Sequence, residues 1–289
     1  MATGPFMTHG DGMLPDALCF QSPEPLIDIG ANLAHESFQK DLDVVLERAA
    51  RANLTAMVLT GTDRASIEAS AELTQRETPV ALYSTAGLHP HHAGEFDSSL
   101  KRFIEDFLDH PRVLAVGECG LDYHRNFSSP ADQRRAFEAH LEMAARTQKP
   151  LFLHERDAGS DMLDMIKQWR DDIGPAVVHC FTGDRDTLYG YLDLDLYIGQ
   201  TGWLCDERRG QHLRELIVDI PDNRLMIETD CPYLLPRNLP AKLKGRRHEP
   251  ALLPWIAREI ALCRSVSEAV IARDTTTNAR RFFNIPDPA

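Results

Sequence analysis

The stretch Val113-Leu-Ala-Val-Gly-Glu118-Cys-Gly-Leu-Asp122 decides the fold: it is an apolar run broken by a metal-competent glutamate. Pro150-Leu-Phe-Leu-His154 and Ala176-Val-Val-His179 repeat the plan with a terminal histidine, and Leu225-Met-Ile-Glu-Thr-Asp230 ends in an aspartate. Short runs rich in aliphatic and β-branched residues, separated by helical stretches, read as buried parallel strands. In a barrel of parallel strands all carboxyl ends converge on one face, so Glu118, His154, His179 and Asp230 become neighbours around one cavity. A buried strand has little reason to end repeatedly in His or Glu unless those groups are paired, and a divalent cation suits this set.

Working outward, similar runs near 25–29, 54–60, 80–86, 113–118, 150–154, 175–179, 194–199 and 224–229 predict eight strands. Between them lie Glu36 to Ala52, Arg64 to Gln75, Ser99 to His110, Asp132 to Thr147 and Gly159 to Trp169, whose apolar residues recur at helical spacing. Ser129-Pro130 fits an N-cap followed by proline at the first helical position. The expected architecture is a (β/α)8 TIM barrel of the metallo-dependent hydrolase type over residues 25–286, with short sixth and seventh units. An open doubly wound sheet is the competitor, but no GxGxxG follows the first strand. Residues 1–24 lack a basic segment followed by an apolar core, so they are expected to be a mobile extension rather than a secretory signal.

A chain of 289 residues, 43% hydrophobic, can bury a core of that size. Its net charge of −13 argues against bulk attraction to nucleic acid or to anionic membrane. Screening beyond roughly 8 Å still lets a few arginines at a mouth hold a phosphate. No apolar stretch reaches the roughly 20 residues a membrane span needs, and the expected location is cytoplasmic. The six cysteines form no CxxC pair, and Cys119, Cys180 and Cys231, each beside a candidate ligand, are expected to pack rather than react.

Other strand ends add polar groups: Asp28-Ile-Gly30-Ala-Asn32, Thr60-Gly-Thr-Asp63 and His89-Pro-His91-His92. Asn32 and His89 are expected to meet substrate, whereas His91, His92 and His124 are expected to face solvent. Arg208, Arg209, Arg246 and Arg247 sit on expected carboxyl-end loops, the second pair within a long connection over 230–250. Their guanidinium forks suit phosphate, with Lys242 and Lys244 adding charge. Trp203, Tyr123 and Tyr233 are candidates to stack on unpaired bases.

Gly117-Glu-Cys-Gly-Leu-Asp122, Leu153-His-Glu-Arg-Asp157, His179-Cys-Phe-Thr-Gly183, Ile198-Gly-Gln-Thr-Gly202, Cys205-Asp-Glu-Arg-Arg-Gly210, Glu228-Thr-Asp-Cys-Pro-Tyr233 and Arg246-Arg-His-Glu-Pro250 closely resemble the TatD family of metal-dependent deoxyribonucleases. The resemblance runs from about residue 26 to residue 285. It implies a magnesium-dependent 3′ to 5′ exonuclease on single-stranded DNA and RNA, with metal ligands at Glu118, His154, His179 and Asp230. Many relatives carry a His-x-His pair on the first strand, where this chain has Gly30 and Asn32. One ion, or a second recruited with substrate at Glu118, is the expectation that follows.

Glu118 and Asp230 are thus the expected catalytic residues, the aspartate taking a proton from the attacking water. Magnesium is the expected ion, while two imidazoles also suit manganese or zinc. Single-stranded DNA or RNA is the expected partner, with no membrane and no obligate protein partner. An amidohydrolase of the same barrel type, cleaving an ester or amide of a small metabolite or aminoacyl-nucleotide, is the alternative. A non-catalytic protein with a lapsed metal site is a third possibility, supported only by the missing His-x-His pair.

Overall fold

The computed structural model describes residues 8, 9, 12–243 and 245–287. Its main sheet has eight parallel strands in sequential order: β1 Leu26–Ala31, β2 Leu54–Leu59, β3 Ala81–Ala86, β4 Val113–Asp122, β5 Leu151–Arg156, β6 Ala176–Val178, β7 Tyr197–Gln200 and β8 Leu225–Ile227. Each falls on one of the expected runs. Helices α1 Leu42–Arg51, α2 Arg64–Leu73, α3 Ser98–Leu108, α4 Pro130–Thr147, α5 Gly159–Trp169, α6 Arg185–Asp193 and α7 Gln211–Leu216 follow the first seven strands, and α8 Leu253–Arg264 and α9 Glu268–Phe283 follow the last. The sixth and seventh units are short, as the sequence suggests, with α7 only 6 residues long.

Local chemistry sets the helix starts. Ser129 caps α4 by accepting from the Asp132 N–H, with Pro130 next to it, and Asp63 forms a reciprocal capping box with Ser66 on α2. A short antiparallel pair, Thr8–His9 with Gly12–Met13, precedes the barrel. The expected mobile extension needs correction from Leu14 onward. Leu14 and Leu18 are buried in the main core, and Phe20 just after them stacks on Trp255 of α8, so this apolar segment is withdrawn from water.

The strands are buried on both faces, as a parallel sheet covered by helices requires. Leu54, Met57 and Leu59 pack in the larger cluster with residues of the helices. Ile27, Ile29, Ala56, Val58, Ala115, Phe152, Val177 and Met226 form a separate interior cluster. Phe282, Phe283 and Ile285, at and beyond the end of α9, join that interior cluster and close one end of it. Truncating one such phenylalanine to alanine would cost about 3–5 kcal/mol.

β1 and β8 share no ladder, yet the barrel is nearly closed at the carboxyl ends. Ala31 bridges Cys231 in parallel, Asn32 N–H donates to Cys231 O at 2.8 Å, and Asp230 N–H donates to Gly30 O at 2.8 Å. Beneath, buried Asp28 accepts from Thr229 N–H at 3.0 Å and Thr229 Oγ1 at 2.6 Å. Burial pushes the Asp28 carboxyl up to about 7 against those hydrogen bonds. This seam fixes Asn32 beside Asp230.

Candidate metal centre

The two-residue period of a strand delivers the site. Phe152, Val177 and Met226 fill the barrel interior, and two residues on each strand path continues to His154, His179 and Glu228 on the same face. On β4 the interior residue is Ala115, so Glu118 would fall on the wrong parity. A register shift between Gly117 and Cys119 corrects this. Gly117 permits it: its φ is +138°, and a Cβ there would lie 2.2 Å from the Phe152 carbonyl oxygen.

Three imidazoles converge on one carboxylate oxygen. Glu118 Oε1 lies 2.8 Å from His179 Nε2, 2.9 Å from His154 Nδ1 and 3.3 Å from His89 Nε2. Three imidazole nitrogens crowd an oxygen that has two lone pairs, a packing suited to a cation among them. His154 Nε2 is buried without a hydrogen-bond partner, although Asp122 Oδ2 stands 3.4 Å away. The donor set therefore fits a divalent ion, and ligand atoms of His89, Glu118 and His154 lie within 4.8 Å of one another.

Charge within the cluster is strongly coupled. Burial alone would raise the Glu118 carboxyl, but His179, His89 and hydrogen bonds from His154 and His179 hold it well below the usual range. Burial lowers His89 to about 4 despite Glu118, leaving a neutral ring with a lone pair to offer. Burial opposes charge on His179 too, yet Glu118 and Glu228 hold it well above its ordinary value. Burial pushes Asp230 up to about 7, with Glu118 and Glu228 adding to it against His179 and the Asn32 amide. Asn32 Nδ2 donates to Asp230 Oδ1 at 3.0 Å.

These groups line a cavity of about 410 Å³ at the carboxyl ends of the strands, walled by Trp203, Tyr233 and Arg156. Glu118, His154, His179, Asp230, Asn32 and His89 all reach it, as expected from the sequence. His89 stands against Glu118 among the candidate ligands, closer to the centre than a substrate-contact role requires. His91 lines the cavity with its Nε2 2.8 Å from Asp122 Oδ2, which corrects its expected solvent role, whereas His92, 42% exposed beside Glu95 at the cavity edge, faces solvent as expected. His124 pairs with Asp157 in the open, as expected. Burial pushes the Cys180 thiol up to about 12 and those of Cys119 and Cys231 well above their ordinary value, so thiolate ligation is disfavoured.

The basic residues divide. Arg209 lies over Trp203, its Cζ 4.2 Å from the ring centroid, and its Nε donates to Asp206 at 3.1 Å. Arg208 is exposed beside it, and Arg246 is exposed on the long loop. Arg247 is a correction: both terminal nitrogens bind Asp41, at 2.7 and 2.6 Å, and Nη1 also donates to Ser37 O. A guanidinium so engaged ties the loop to the start of α1 and has no fork left for phosphate. Arg48 and Glu249 pair nearby at 2.7 Å, both buried. Lys244 lies outside the described residues. Tyr123 is a second correction, since its hydroxyl donates to Asp161 at 2.7 Å and its ring does not line the cavity.

Sequence reasoning missed Glu228, Asp122 and Arg156. Glu228 is fully buried and accepts from Cys180 N–H at 2.6 Å, while His179 Nδ1 lies 3.3 Å from it. Its signal was parity: in Met226-Ile-Glu228 the glutamate is two residues past an interior side chain, as His179 is past Val177. Asp122 closes the opening run and was read only as its end. Arg156 is two residues beyond His154, hence on the cavity side. Cys180 and Asp230, at φ 45° and 52°, turn the chain sharply just past strands β6 and β8.

A nearly closed parallel barrel with this carboxylate and histidine floor belongs to the class of metallo-dependent hydrolases. The family model for TatD related DNase matches residues 27–284, and the chain belongs to that family. A protein of Salmonella typhimurium named 3′-5′ ssDNA/RNA exonuclease TatD is 45% identical over 260 residues, covering 90% of this chain and 99% of the relative. One of the same name from Erwinia tasmaniensis is 44% identical over 260 residues, 90% of this chain and 100% of the relative. Among solved structures, a TatD family hydrolase of Entamoeba histolytica superposes with a TM-score of 0.81 at 27% identity, covering 91% of this chain and 99% of that one.

Proposed function

We infer that the protein is a metal-dependent nuclease that hydrolyses phosphodiester bonds, removing nucleotides from the 3′ end of single-stranded DNA and RNA. The observation that carries this is the approach of His89, His154 and His179 to one oxygen of Glu118 at the floor of the cavity. The substrate and direction follow the relatives' activity as their name states it. Glu118, His154, His179 and Asp230 would hold a divalent cation, with His89 as a further nitrogen donor. Such a cation supplies Lewis acidity toward the phosphoryl oxygens and a water of lowered pKa.

The chain's own residues do the rest. Asp230 accepts the proton of the attacking water, its carboxylate oriented by the Asn32 amide. Glu228 orients the His179 ring from behind. Arg156 faces the developing phosphate charge, and Trp203 and Tyr233 offer rings to an unpaired base. A nitrogen-rich set binds manganese more tightly than magnesium, so magnesium at cellular abundance or manganese is the working ion. Gly30 has no side chain to offer as a ligand, and Glu228 Oε2 occupies the space beside it, 2.3 Å from where a Cβ would stand. One tightly held ion is the resting state this favours. No described helix is long and apolar enough to cross a membrane.

The test is a side-by-side assay: a 5′-labelled single-stranded oligonucleotide against a panel of esters and amides. A ladder shortening from the 3′ end, with no amide or ester turnover at comparable rate, is the expected result. An intact oligonucleotide with a hydrolysed amide or ester would move the chain to amidohydrolase chemistry.

A further inference from the structure

Beside the metal cavity lies a second groove of about 720 Å³, sharing Trp203, Tyr233 and Leu234 as a common wall. Among the described residues its lining carries Arg209, Arg237, Lys242 and Arg246 against one carboxylate, Asp206. Four cations to one anion in a chain of net charge −13 is a local reversal of sign. Asp206 binds both Arg209 and Arg237, at 3.0 and 3.1 Å, and so holds two guanidinium groups along one edge. Lys242 and Arg246 are exposed on the long loop that also lines the groove. Leu235, Leu239 and Leu243 give the same groove an apolar lining.

We propose that this groove holds the nucleotides on the 5′ side of the scissile phosphodiester, phosphates on its basic side chains and bases on its apolar lining. The inference rests on the nuclease reading. An exonuclease must place the terminal nucleotide at the metal cavity, and the basic exit from that cavity runs past Trp203 and Tyr233, the wall it shares with this groove. The groove begins at those two side chains, and its charge and apolar lining match a single strand with unpaired bases. The enzyme therefore prefers long strands over short ones, through binding outside the catalytic cavity.

The test compares kcat/KM for a dinucleotide and for an oligonucleotide of about 12 nucleotides, within the span single-strand grooves cover. In the wild type the longer strand is favoured. Lys242→Glu/Arg246→Glu reduces that preference by about tenfold and lowers the salt slope of binding by about 0.7 per lost phosphate contact. Arg237→Glu, assayed separately, does the same should the double variant fold poorly. A length preference that survives the substitutions, or equal loss on both substrates, would overturn the groove while leaving the nuclease reading intact. So would a wild-type dimer that the double variant dissolves with its length preference kept, which would assign the groove to a second copy. Absence of cleavage of either substrate by the metal-loaded wild type would overturn both.

Discussion

His179 Nδ1 lies 3.3 Å from Glu228 Oε2 while its Nε2 lies 2.8 Å from Glu118 Oε1, so one imidazole stands between two buried carboxylates. In the ion-free chain this holds the ring protonated well above its ordinary range, against burial. A cation beside Glu118 needs the Nε2 lone pair, so binding must expel that proton. Metal affinity should therefore rise with pH. Calorimetric titration with manganese, in buffers of different ionisation enthalpy, should register proton release. Glu228→Gln should lower affinity by about 10–100-fold, the usual cost of losing such a supporting carboxylate. Equal affinity in the variant would remove Glu228 from that role.

Asp230 sets the acid limb of the rate. Burial raises its carboxyl to about 7, and only the ionised form accepts a proton, so kcat/KM should climb with pH and level off above that point. A bound cation moves the limb lower. Asn32 donates to the ionised carboxylate and stabilises it, so Asn32→Ala should move the limb to higher pH. Asp230→Asn should cost about 10²–10⁴ in kcat. An acid limb at the same pH in Asn32→Ala and in the wild type would contradict the assignment.

His140 is a buried structural histidine whose effect on stability has a definite sign. Its Nε2 accepts from Leu88 N–H at 3.0 Å and its Nδ1–H donates to Ala136 O at 2.7 Å, an arrangement that needs the neutral ring. Burial lowers its pKa from 6.5 to about 4, so its contribution is present above 6.5 and lost as pH falls through that window. The stability difference between wild type and His140→Gln should shrink by about 1.4 kcal/mol per pH unit there. Denaturant titrations of both proteins across the window check it. A difference that stays constant would contradict the neutral ring.

Arg247 should behave as a structural residue. The pair is largely buried, with Arg247 17% and Asp41 12% exposed, and removing one partner of such a pair costs about 3 kcal/mol. Arg247→Ala should thus lower Tm by roughly 6–12 °C in a chain of this size. Arg246→Ala, on an exposed side chain, should leave Tm nearly unchanged. Similar melting of the two variants would contradict the division between the adjacent arginines.

Those two arginines show where sequence reading stops. The eight strands were legible because each is a short apolar run with a polar end, a signal contained within a few residues. That Glu118, His154, His179 and Asp230 meet around one cavity was legible for the same reason. Arg247 was misassigned because Asp41, the partner that occupies it, is 206 positions away. Glu228 was passed over because it lies inside the run rather than at its end, and only the interior packing of Met226 reveals its direction. The correct facing of Glu118 depends on the bulge at Gly117, and a glycine alone does not announce a bulge. Leu14 and Leu18 looked like part of a loose terminus because their neighbours carry no periodic pattern, while the surface they cover is made elsewhere in the chain.

The most direct measurement is digestion of a 5′-labelled single-stranded oligonucleotide by metal-stripped protein, with magnesium, manganese or zinc restored separately and Glu118→Gln alongside. A ladder shortening from the 3′ end, dependent on the added ion and lost in the variant, is the predicted result. Cleavage that persists in the variant or without any added ion would contradict a centre built on Glu118.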